Sequence, residues 1–185
     1  MSEEIFQPDW HETEEAVPLV YLLGKVSLEW NMAEQFQTSL MWSLLGSNSV
    51  GMAITGNLGN RPKQAIIAEL MDQRTDAAKL RSLVKQTGRN FSALQETRNL
   101  LVHSHSIFRG SEKPEWRKAT GKGPHGHISV LADQDDLRLI IDQIAELAQT
   151  YVGLLCYLQA AKNGKDYDLP KKLSEPHRLK PFEAI

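Results

Sequence analysis

Residues 133–158 read DQDDLRLIIDQIAELAQTYVGLLCYL, and apolar side chains recur through them at three- and four-residue steps, from Leu137, Ile140 and Ile144 to Tyr151, Leu154 and Leu158. That is the period of an α-helix with a buried face. Ile141, Leu147, Ala148, Val152 and Leu155 widen the face. A helix apolar over so much of its surface belongs at the centre of a bundle. Asp133 opens it, where an N-cap oxygen can accept from the first unpaired backbone N–H groups. Asn163-Gly164 closes it.

Working outward, a second long helix is predicted from Pro18 to about Leu45. Proline suits a first turn, where its missing N–H costs nothing. Leu19, Leu22, Val26, Trp30, Ala33, Gln37, Leu40 and Leu44 form its inner face, and Gly46 and Asn48 stop it. Residues 49–58 read as a short helix or packed connector. Asn60 is expected to cap a helix starting near Arg61-Pro62, with Ala65, Ile66, Leu70 and Met71 facing inward. Thr75 or Asp76 caps the next. Its stripe is Leu80, Leu83/Val84, Thr87, Phe91 and Leu94, then Arg98 and Leu101. Gly88 weakens that helix by about 1 kcal/mol relative to alanine.

Residues 104–132 differ in character, with Gly110, Pro114, Gly121, Gly123, Pro124 and Gly126. Short strands are predicted at 106–108, 115–119 and 127–131, in a long loop or small β-hairpin. Pro170, Pro176 and Pro181 make the segment after 163 an extended tail. The expected fold class is mainly all-α: a four- to five-helix up-down bundle with a loop or β-hairpin insertion before the last helix. The bundle spans 16–163 with its insertion at 104–132, a flexible acidic arm precedes it at 1–15, and the extended tail runs over 164–185.

A chain of 185 residues is long enough to bury a core without staples. Cys156 is the only cysteine, which excludes an intramolecular disulfide or a thiolate metal cluster. That fits a reducing, cytoplasmic setting. The acidic N-terminus resembles no secretory or transit peptide, and apolar runs such as 16–23 are too short to cross a bilayer. No membrane association is therefore expected. A net charge of −2 argues against a dedicated nucleic-acid coat and leaves room for a local basic site.

The chemistry concentrates at Arg98-Asn99-Leu100-Leu101-Val102-His103. Arginine keeps its charge and offers a planar fork to phosphate oxygens. Histidine titrates near neutrality and moves a proton in either direction. Together they suffice for cleavage of RNA with neither metal nor cofactor: histidine serves the 2′-hydroxyl or the leaving 5′-oxygen, and arginine stabilises the charge that builds on phosphorus. Asn99 shares a helix face with His103 and can orient the imidazole or a phosphate oxygen. On one straight helix Arg98 and His103 point about 140° apart, roughly 7.5 Å along the axis. A second copy crossing the first would supply what one helix cannot. The surplus apolar surface of the two long helices points the same way, to a homodimer.

The pattern of arginine, a polar residue, three intervening residues and histidine, at the end of the third helix of a four-helix unit, resembles the HEPN domain family. The opening helix with Leu28-Glu29-Trp30 and Glu34, the β-like insertion and the last helix extend the likeness over about 17–161. The resemblance implies a metal-independent endoribonuclease that dimerises to form a composite cleft, often in toxin–antitoxin or phage-defence settings. It maps Arg98 and His103 to the catalytic pair and Asn99 to the polar residue beside them. It equally implies a non-catalytic alternative, a module that binds RNA, nucleotides or a protein partner such as an antitoxin.

Three bland readings stand beside these. Arg98 can bridge helices as a buried cation, with His103 favoured by the helix dipole. The basic insertion, with His105, Arg109, Trp116, Arg117, Lys118 and Lys122, can guide and stack single-stranded RNA, or can be a solvated loop. His125 and His127, spaced to share a strand face, can bind a metal or can simply be solvated; no carboxylate pair completes such a site.

Overall fold

The computed structural model of the chain describes Glu14 and residues 16–46, 48–107, 113–119 and 126–182. The fold is mainly helical. Among the described residues five helices follow in order: α1 (Ala16–Leu45), α2 (Asn48–Thr55), α3 (Asn60–Asp72), α4 (Ala77–Val102) and α5 (Gln134–Lys162). Between α4 and α5 lie β1 (His105–Ile107), β2 (Glu115–Ala119) and β3 (His127–Leu131), and β4 (Pro181–Phe182) comes last. The strands form one antiparallel sheet in the order β1-β2-β3-β4.

The broadest interface is α1 on α5. The two helices run parallel: Pro18 and Tyr21 flank a hollow with Arg138 and Asp142, while Trp42 and Ser43 flank another with Leu158 and Lys162. α4 runs the opposite way, since Asp76 before its start accepts from Tyr157 near the end of α5. The sheet therefore sits where α4 ends and α5 begins. Trp30, Phe91 and Tyr151 meet in the core, with ring centroids 4.7 Å and 6.3 Å apart. By length and composition α5 could cross a bilayer. Here its apolar side is taken up in the core, with Leu137, Ile140, Ile144, Leu147 and Leu154 all buried.

Local chemistry explains most boundaries. Asp133 caps α5 by accepting from the backbones of Asp135 and Asp136, and Asp136 reciprocates on the Asp133 N–H. Gly46 and Gly164 leave α1 and α5 in the left-handed region, at φ 74° and 64°. Two expected caps are not made. Gly59, not Asn60, is the N-cap of α3, because the Asn60 amide donates to Glu34 on α1. Asp76 is the N-cap of α4 but makes no side-chain capping bond; Arg74 and Tyr157 occupy its carboxylate.

The tail is more than an extended run. It lies back along α5, and side chains of two helices hold its main chain. Gln86 donates to Leu173 O at 2.7 Å, Asn90 to Ser174 O at 2.7 Å and Gln143 to Glu175 O at 2.9 Å. Leu173 is buried, and β4 then joins the edge of β3. Apart from exposed Glu14, the expected arm lies outside the described residues, as do Arg109, Lys122 and His125.

Candidate functional site

Arg98, Asn99 and His103 occupy the last turns of α4. His103 is the C-cap, with its backbone N–H donating to Asn99 O at 3.3 Å, and its side chain is exposed. Arg98 leaves the helix toward the interior and is half-buried. Its guanidinium then turns back: Nη1 donates to Asn99 Oδ1 at 3.0 Å. Asn99 lies only about 40° from His103 on the helix, at about 100° per residue. The long arginine thus offsets part of the divergence that helix geometry imposes on the pair.

No carboxylate pairs with Arg98 among the described residues, and its buried Nε has no hydrogen-bond partner. Among the described residues, Arg98 therefore forms no buried ion pair that bridges helices. Lys118, on the inner face of β2, is half-buried and donates from Nζ to Asn99 O at 3.3 Å. Two cations thus share one residue, Arg98 on the Asn99 side chain and Lys118 on its carbonyl. Ser106 Oγ, also on the inner sheet face, is buried and has no hydrogen-bond partner among the described residues. A half-buried cation without a counter-charge favours an anion, and the guanidinium fork favours phosphate or carboxylate oxygens.

The other insertion residues separate by strand parity. Trp116 pairs with Val130 on the inner face, is 2% exposed, and donates its indole N–H to Ala132 O at 2.9 Å. Both ring faces are sealed in the core. This corrects the expectation that Trp116 stacks an RNA base. Arg117 points outward opposite His105, but its charge is answered by buried Glu115 at 3.0 Å, which also accepts from Ser129. His105 is exposed beside it. His127 is exposed on the same outer face, and no group of three or more metal-ligating side chains gathers among the described residues.

Sequence reasoning looked for basic residues in the insertion and passed over α4 itself. The side of α4 turned to solvent carries Arg81, Lys85 and Arg89 before it reaches Asn99 and His103. The signal was the four-residue spacing of those cations. A hollow of about 1180 Å³ lies at the opposite end of the bundle between the ends of α1 and α5. Its polar edge is self-satisfied. The Arg74 guanidinium holds the Asp76 carboxyl below the usual range, and the Asp76 carboxylate holds the Tyr157 hydroxyl above its own. The α4 terminus remains the candidate site. Comparison with protein-family models, characterised proteins and solved structures finds no match to this chain.

Proposed function

We propose that the chain is a HEPN-type, metal-independent endoribonuclease whose cleft is completed by a second copy. The observation that carries this reading is Arg98. It is a half-buried cation with no carboxylate among the described residues, and Asn99 holds its guanidinium toward the His103 side of α4. In the proposed reaction His103 accepts the proton of an RNA 2′-hydroxyl as that oxygen attacks phosphorus. The bond to the 5′-oxygen breaks, and that oxygen takes a proton from the protonated His103 ring, directly or through water, leaving a 2′,3′-cyclic phosphate and a 5′-hydroxyl. Arg98, with Lys118 behind Asn99, stabilises the charge that builds on the phosphate oxygens.

RNA incubated with the protein in EDTA is the test. Cleavage is expected, with a loss of roughly 100-fold or more in His103→Ala, the scale of a general acid–base group. Arg98→Ala should lose a comparable factor, the scale of a charge stabiliser. Circular dichroism should show both variants folded. Activity unchanged in His103→Ala, or requiring an added divalent ion, would sink the mechanism.

One observation favours the non-catalytic alternative. The His103 ring is exposed and has no hydrogen-bond partner among the described residues, so none of them orients it. A module that only binds RNA, or an antitoxin-like protein partner, would show binding that survives His103→Ala and no turnover.

A further inference from the structure

The α4 helix has two faces. The inner one holds Leu80, Leu83, Thr87, Phe91, Leu94 and Leu101 in the core. The outer one places Arg81, Lys85 and Arg89 in a line, each exposed and one helical turn from the next. Continued along the same side, that line passes Ser92 and Glu96 and arrives at Asn99 and His103. Ala78 and Ser82 are small, so a shallow hollow of about 460 Å³ runs among the three cations.

The charges on this face are little neutralised. Arg74, Arg117 and Arg138 each have a carboxylate within 3.0 Å. Lys85 and Arg89 have none among the described residues. Arg81 pairs with Asp72 at 2.9 Å, but that pair is 66% and 55% exposed, and such pairs contribute little and exchange readily. Glu96 is the one acid on the line, and Arg178 from the tail approaches it to 3.8 Å. The tail also brings exposed Lys172 next to the Leu173 carbonyl that Gln86 of α4 holds. Positive charge is thus gathered on one side of a chain whose net charge is −2.

We propose that this outer face of α4 is a strand-binding ridge: Arg81, Lys85 and Arg89 hold successive phosphates of a single-stranded RNA and lead it to Asn99 and His103. Each step between cations rises about 6 Å along the helix, comparable to one nucleotide of an extended strand. Arg89 stands about 21 Å from His103 by the same rise, so a short strand spans both. The ridge supplies affinity without base recognition, because phosphate contacts position a strand and carry no sequence information. It deepens the ribonuclease reading, on which it rests for what happens at the His103 end. The binding it predicts does not depend on cleavage.

The experiment measures binding of a fluorescein-labelled, mixed-sequence, single-stranded RNA by anisotropy, in EDTA, across a salt series. His103→Ala serves as the parent so that turnover cannot intrude. In that background Lys85→Ala/Arg89→Ala should weaken binding roughly tenfold or more at low salt. It should also lower the slope of log affinity against log salt by about 1.4, at about 0.7 per phosphate contact on a single strand. Lys85→Arg/Arg89→Lys should keep both, and Glu96→Gln should tighten binding. All these side chains are exposed, so thermal melts should be unchanged.

Affinity and slope unaltered by the double alanine change would overturn the ridge. So would preferential binding to phosphatidylserine vesicles that the same change abolishes, since that marks a membrane surface. Two results separate the ridge from the nuclease reading. If the unsubstituted protein binds RNA through Lys85 and Arg89 but never cuts it, the nuclease reading fails and the ridge stands. If it cuts RNA with no dependence on either residue, the ridge fails and the nuclease reading stands.

Discussion

Asp133 shows how much one side chain does at the start of the central helix. It caps α5, and Lys113 reaches it at 2.8 Å while also reaching Asp136 at 3.0 Å. Asp136 is engaged again by the His177 ring of the tail at 3.1 Å. The Lys113 ammonium, aided by the backbone bond from Asp136, holds the Asp133 carboxyl down from 3.8 to about 2. A carboxylate with a depressed folded value stabilises above its unfolded value and loses that contribution as pH falls through the folded one. The contribution of Asp133 is therefore complete above about pH 4 and fades toward pH 2, between the ordinary value of 3.8 and the folded value of about 2. Asp133→Ala should cost about 1 kcal/mol at neutral pH, the usual worth of an N-cap. Lys113→Met should flatten the dependence on pH within the acid window. Urea melts at neutral pH and across that window read both effects. Equal stability of Asp133→Ala and the parent at every pH would refute this account of the cap.

At the scale of elements, the tail depends on a glycine in α5. A Cβ built at Gly153 would lie 2.5 Å from Cγ of Pro170, so the tail approaches the helix only because that position is bare. Gly153→Ala gains about 1 kcal/mol of helix propensity. Against it stands overpacking of a stiff ring, typically 1–3 kcal/mol. The net expectation is a small loss in melting temperature together with detachment of the tail, read as faster proteolysis within residues 165–180. A stabilised protein with an equally resistant tail would show that Pro170 simply moves aside. The tail also marks where the sequence stopped being readable. α1, α5, β2 and β3 were legible because period and punctuation are local, and Asp133 was legible because its partners are two and three residues away. The packing of the tail was not, because Gln86, Asn90, Gln143 and Glu146 lie far from it in sequence. Asn60 looked like a cap until Glu34, 26 residues away, took its amide. Trp116 looked available to RNA because a basic, glycine-rich neighbourhood hid the strand parity that turns it inward. At the site, the residues of the motif were legible and their environment was not. That Arg98 folds back on Asn99, and that Lys118 joins them, required the sheet to be placed.

For the whole molecule the question is how many chains make a site. The motif end and the hollow between the ends of α1 and α5 lie at opposite ends of the bundle, so in the proposed reading the α4 terminus and the sheet furnish the chemistry themselves. Arg98 reaches Asn99, yet no described residue of the same chain orients the His103 ring, which is why the proposed cleft takes two copies. α1 also turns an apolar side to solvent, where Val17, Tyr21 and Leu28 are 53%, 64% and 59% exposed. Its first turn lies at the same end as the motif, and exposed apolar surface of this kind is common where copies associate. If Arg98 of one chain works with His103 of the other, two inactive variants can repair each other. In a mixed dimer of Arg98→Ala and His103→Ala, one cleft lacks both groups and the other has both intact. Random exchange makes half the dimers mixed, so the mixture should recover about a quarter of the parent activity for a two-fold dimer. Each variant alone should show almost none. Recovery should follow the kinetics of subunit exchange and disappear at concentrations where light scattering reports monomers. A mixture as inactive as its components, in a sample shown to exchange, would mean that each chain uses its own arginine and histidine. The turn of Arg98 onto Asn99 would then be the whole of the alignment rather than the first part of it.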